Sequence, residues 1–145
     1  ISHYTISKNV VIFNFVDIEQ IKIDDYDIET EIIDKTNKYC EQSVCIDFGC
    51  KNKKFRDKFY GYVDLSENND IREAIFNFYN ILHQLKNVDC RNVLIFEGII
   101  NNYTTGLGRE NDATLRMSLY DRIYRCCSGR RTYLPIKLSQ ETPSE

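Results

Sequence analysis

The sequence predicts a single α/β domain, a layered mixed β-sheet flanked by helices. Three observations carry that expectation. Short β-branched and aromatic runs alternate along the chain with segments of helical period. The 145 residues suffice for one sizeable core, and 42% of them are hydrophobic and 12% aromatic. Only two prolines and six glycines interrupt the chain, and no apolar run is long enough for a transmembrane helix. The domain is expected over residues 1–138, with 139–145 as a disordered tail.

A first strand is expected over Tyr4–Val16, where Val10, Ile12, Phe13, Phe15 and Val16 supply the apolar run. Asp17–Asp25 fits neither period. Asp27–Gln42 predicts a helix, with Ile28, Ile32, Ile33 and Cys40 as its apolar positions and acids preceding lysines, as the helix dipole favours. Ser43–Gly49 predicts a second strand, followed by a basic loop at Lys51–Lys54. Phe55–Leu65, carrying Phe59, Tyr60, Tyr62 and Val63, predicts a third.

The clearest helix is Asp70–Lys86, whose stripe of Ile71, Ala74, Ile75, Phe78, Tyr79, Leu82 and Leu85 makes one wide apolar face. Asp70 and Glu73 have capping-box spacing. Arg91–Ile100 is apolar on both alternations, which predicts a central strand buried on both faces. A polar loop, Asn101–Asn111, leads to a helix over Asp112–Cys127, where Leu115, Leu119, Ile123 and Cys127 recur every four residues and Gly129 is placed to end it. Arg130–Leu138 predicts a closing strand. The order is β-α-β-β-α-β-α-β.

Net charge is −3 but unevenly spread. Residues 1–50 hold ten acids against four lysines, whereas residues 51–145 hold fifteen basic residues against twelve acids. Two basic clusters stand out: Lys51, Lys53, Lys54, Arg56 and Lys58, then Arg116, Arg122, Arg125, Arg130 and Arg131. Nucleic-acid binding needs such patches, and a solvated surface also produces them.

The six cysteines, Cys40, Cys45, Cys50, Cys90, Cys126 and Cys127, admit two readings. Several sit in core-like patterns, which favours packed, reduced thiols in an intracellular protein. The even count and the Asn102-Tyr103-Thr104 sequon leave a secreted, disulfide-bonded module open. Gly106-Leu107-Gly108 with Arg109 could form an anion nest or an ordinary loop. Cys126-Cys127 beside Arg125 and Arg130 reads as packed thiols rather than a reactive pair.

Two carboxylates interrupt apolar strands. Asp47 ends Ser43–Gly49, and Glu97 breaks Val93–Ile100. A carboxylate there needs a partner, because burying an unpaired charge is costly. Asp47 could cap the turn at Gly49, and Glu97 could pair with an arginine such as Arg91 or Arg116. Alternatively, two acids at the ends of adjacent strands can hold a divalent cation that polarises a phosphodiester and activates water.

The segment Cys45-Ile46-Asp47-Phe48-Gly49-Cys50-Lys51-Asn52 resembles the first-strand motif of RuvC-type Holliday-junction resolvases, in the poxviral and mitochondrial branch of the RNase H-like superfamily. Tyr62-Val63-Asp64-Leu65-Ser66 resembles the strand leading into that family's first helix, and Val93-Leu94-Ile95-Phe96-Glu97 its Glu-bearing fourth strand. The resemblance covers about residues 43–138. It implies that Asp47 and Glu97 are catalytic acids binding Mg2+ or Mn2+. Lys51, Lys53, Lys54, Arg116 and Arg122 are then expected to contact nucleic acid. The expectation is a metal-dependent nuclease-like domain, or an inactive relative, acting on structured nucleic acid. The alternative is a non-enzymatic protein-interaction domain, of a virus or a larger assembly, binding a protein partner or a second copy. Its motivation is what is missing: a third acid, a nucleophile–base pair and a phosphate loop.

Overall fold

The structure, a computed structural model, describes residues 8–101 and 112–140. The apolar runs form five strands: β1 (Asn9–Asp17), β2 (Ser43–Asp47), β3 (Gly61–Asp64), β4 (Asn92–Phe96) and β5 (Arg131–Ile136). They lie in one sheet in the order β3-β2-β4-β1-β5. The main helices are α1 (Tyr26–Glu41), α2 (Ile71–Leu85), a single turn α3 (Gly98–Asn101) and α4 (Asp112–Cys127). The α/β reading therefore holds. No helix among the described residues is long and apolar enough to cross a membrane.

The expected mixed sheet is corrected, because every pairing is parallel. The cause lies in residues 51–60. The expected strand from Phe55 is instead a 3-10 segment, Lys53–Lys58, and only Gly61–Asp64 is extended. Phe55 and Phe59, four apart, put both rings on one side, against Phe15 and Phe13 at centroid distances of 4.8 and 6.0 Å. The segment is thus a crossover along the sheet, not a hairpin, and β3 starts at the same end as β2.

The core divides by strand alternation. Val10, Ile12, Val44, Ile46, Val93 and Ile95 face α2 and α4. Val11, Phe13, Cys45, Leu94, Leu134 and Ile136 face the other way, with Cys40 of α1 and with Phe55 and Phe59. Each of the largest buried side chains, such as Phe78 of α2, stabilises the fold by roughly 2–3 kcal/mol. Steps toward β3 run over the α1 face and steps toward β5 over the α2/α4 face. All four connections therefore share one hand, as parallel crossovers require.

Local signals act as expected at the helix ends. Asp25 and Asp70 accept hydrogen bonds from the first backbone N–H groups of α1 and α2. Gly129, at φ +70°, follows the last turn of α4, and its N–H donates to Tyr124 O. The apolar run expected to continue through Ile100 stops at Phe96. A side chain at Gly98 would come within 2.2 Å of the Phe96 ring, so glycine lets the chain turn directly into α3. Leu138–Gln140 forms a 3-10 turn, where Ser139 Oγ donates to Glu19.

The topology singles out the carboxyl end of β2. Its chain leaves over the α1 face, while the chains of both neighbours, β3 and β4, leave over the α2/α4 face. Such divergence opens crevices at the carboxyl ends of parallel strands, where ligands of open α/β sheets bind. Asp47 ends β2 at that point.

Candidate functional site at the carboxyl end of the sheet

Asp47 has 0% exposure. Its Oδ2 accepts from the Asn52 backbone N–H at 2.6 Å and from the Tyr62 hydroxyl at 2.6 Å, and its Oδ1 accepts from Asn52 Nδ2 at 3.0 Å. The β2–β3 register places Asp64 directly beside it, on the same face. Asp64 accepts from the N–H groups of Gly49 at 3.1 Å, Cys50 at 2.7 Å and Ser66 at 2.9 Å, and from Tyr62 Oη at 3.4 Å. Tyr62 thus bridges two carboxylates.

The backbone is shaped to hold Asp64. Gly49 and Cys50 are both left-handed, at φ 66° and 60°. Their two successive N–H groups both donate to the Asp64 carboxylate. For Cys50 the conformation is uncommon and held by its surroundings. Glycine suits position 49 because its φ is one that other side chains rarely adopt, and a Cβ there would lie 1.9 Å from Asn69 Oδ1 unless that side chain moved.

The pair also sets the protonation of its neighbours. Burial, then the hydrogen bond to Asp47, pushes the Tyr62 hydroxyl well above its ordinary value, so it stays a donor. Burial, reinforced by the Asp47 charge, raises the Cys45 thiol likewise. Chemically, the arrangement presents two carboxylates whose oxygens are engaged by protein donors. It closes the β2 and β3 loops onto each other.

Glu97 lies elsewhere. Ile46 and Ile95 are in register on the α2/α4 face. Asp47, one residue on, turns to the α1 face, while Glu97, two residues on, returns to the α2/α4 face. Asp47 and Glu97 therefore end neighbouring strands but point to opposite faces. Glu97 is 8% exposed and pairs with an arginine, as a buried acid requires, and that arginine is Arg131 of β5. Among the described residues no group of three or more His, Cys, Asp or Glu could hold a metal ion.

The cationic residues also separate. Lys51, Lys53 and Lys54 are exposed on and beside the 3-10 segment, with Lys54 Nζ 5.0 Å from the Phe55 ring centroid. Arg122 lies on the other face of the sheet, over the Tyr79 ring at 5.0 Å, and Arg116 is half-buried on α4. The segment Gly106–Arg109, read as an anion nest or an ordinary loop, falls outside the described residues. All six cysteines are free thiols. Burial raises Cys126 to about 11 and Cys127 to about 12, as expected of packed rather than reactive thiols.

Sequence reasoning named Asp47 and quoted its true neighbours, Asp64, Tyr62 and Asn52, only as parts of motifs, without a role beside it. The signal for Asp64 was present: like Asp47, it is an acid ending an apolar strand. Arg131 carried no local signal, since its partner Glu97 is 34 residues away. No family model matches this chain, and neither does any curated protein or solved structure.

Proposed function

We propose that this chain is a nucleic-acid-binding domain that engages the phosphate backbone through its 3-10 segment. The observation that carries the reading is the build of residues 51–58, where Lys51, Lys53, Lys54, Arg56 and Lys58 stand against a single acid, Asp57. Phe55 and Phe59 anchor the segment in the core, and Asp47 holds its first turn through Asn52. A cation row on a rigid mount loses little entropy when it meets a polyanion, and each phosphate neutralised releases counterions. Fluorescence anisotropy with a labelled oligonucleotide tests the reading. Binding that tightens steeply as salt is lowered is expected. Absence of binding at low salt contradicts it.

A second reading is favoured by the alignment of Asp47 with Asp64 and by the resolvase resemblance around Asp47. In it, the two acids exchange protein donors for Mg2+ or Mn2+ and cleave structured nucleic acid, either as an active nuclease or as a remnant of one. The experiment is cleavage of branched DNA with either metal by wild type and Asp47→Asn. Metal-dependent cleavage lost in the variant supports it, and equal or absent activity in both removes it.

A further inference from the structure

The sheet is covered unequally. On the α2/α4 side, Leu119, Ile123 and Cys127 of α4 face the core. Arg122, over Tyr79, marks the flank of α4 that meets α2. At about 100° per residue, Tyr120 and Tyr124 fall on the opposite flank, toward β5. Gly129 confirms this placement, since a Cβ there would sit 2.9 Å from the Tyr124 hydroxyl oxygen. Arg131 aligns with Ile12 and shares its face, so Tyr133 lies on that face too. Tyr133 is 54% exposed, Tyr124 47% and Tyr120 38%. The rings of Tyr120 and Tyr124 are 6.0 Å apart and within 23° of parallel.

Two partly exposed cations accompany these rings along the chain: Arg125, which follows Tyr124 and pairs with Asp121, and Arg131, which precedes Tyr133 by two residues on the same face and pairs with Glu97. The edge of β5 is poorly suited to a second strand. Ile12 N–H donates to Arg130 O, so alternate residues bond β1 and the intervening Arg131, Tyr133 and Pro135 turn their backbone outward. Pro135 has no N–H to offer, and Arg131 is charged. Both features blunt edge pairing. What the surface does offer is exposed aromatic rings.

We infer that the α4–β5 face binds single-stranded nucleic acid, with bases stacked on Tyr120, Tyr124 and Tyr133 and phosphates met by the neighbouring arginines. The inference rests on the nucleic-acid reading above and adds its substrate class. A single strand exposes base faces that a duplex conceals, and stacking on aromatic rings tolerates any sequence.

The test is anisotropy with a labelled oligothymidylate and with a blunt duplex of equal length. The chain has no tryptophan, so quenching of its own tyrosine fluorescence provides a second readout. Tyr133→Ala is expected to weaken single-strand binding roughly five- to hundredfold while duplex binding is unchanged. Tyr133→Phe should retain single-strand affinity. Tyr120→Ala, on a separate element, should repeat the loss. Wild-type single-strand affinity in both alanine variants overturns the stacking site and leaves the backbone-binding reading intact. Failure of the wild type to bind either probe overturns both. Loss of a wild-type dimer in sedimentation velocity on Tyr133→Ala, with oligothymidylate binding unchanged, would instead assign this face to a second copy of the chain.

Discussion

The carboxyl end of β2 and β3 and the open face of α4 and β5 use polar residues in opposite ways. At the first, Asp47 and Asp64 are enclosed by Asn52, Tyr62 and the backbone of Gly49, Cys50 and Ser66. At the second, Tyr120, Tyr124 and Tyr133 remain open. The lesson concerns conspicuous motifs. The acid and glycine that stand out most in the sequence are engaged internally, where removing a donor or acceptor strands its partners. The less conspicuous tyrosines are the groups left facing outward.

The contrast predicts a ranking. Asp47→Ala leaves the donors of Asn52 and Tyr62 stranded in a buried site and should cost about 3 kcal/mol in urea unfolding. A loss below about 0.5 kcal/mol would mean that the enclosure is not structural. Gly49→Ala must hold a positive φ and displace Asn69, and a loss of about 2 kcal/mol is expected by the same assay.

Alkaline pH attacks the buried side selectively. Cys40 is held neutral up to about 12 by burial, against an ordinary value of 9.0. A group whose protonated form is favoured by folding contributes fully below its unfolded pKa and loses that contribution as pH rises toward the folded value. Stability should therefore fall between pH 9 and about 12, by about 1.4 kcal/mol per pH unit for Cys40. Tyr62, also raised, adds to the loss at the upper end. Urea midpoints across this range check it, and Cys40→Ala should flatten the slope.

Tyr62→Phe removes one bridging hydroxyl and should cost about 1 kcal/mol. At the bottom of the scale, Lys51, Lys53 and Lys54 changed together to Gln should alter stability by less than about 0.5 kcal/mol, since all three are exposed.

Much of the fold was legible because its signals are local. The stripe from Ile71 to Leu85, the cap at Asp70 and the stop at Gly129 each act within a turn or two of helix. The segment from Phe55 to Leu65 was not legible. Aromatic residues favour strands, yet Phe55 and Phe59 are spaced to anchor a helical turn, and packing against Phe13 and Phe15 decides between the two. The parallel sheet was partly legible in the unbroken apolar run of β4.

The site was least legible, because it depends on register. Asp47 and Glu97 are both acids at strand ends, and the one-residue offset that sends them to opposite faces exists only once β2 pairs with β4. The same register places Asp64 next to Asp47.

The central claim is that the cation row on the 3-10 segment binds phosphates, while the acids beneath it serve as its mount. The salt dependence of oligonucleotide binding tests this most directly, compared between wild type and the Lys51, Lys53 and Lys54 to Gln variant. The account predicts that the slope of log affinity against log salt becomes shallower by about 2 in the variant, as three lost phosphate contacts on a single strand require. An unchanged slope would contradict it.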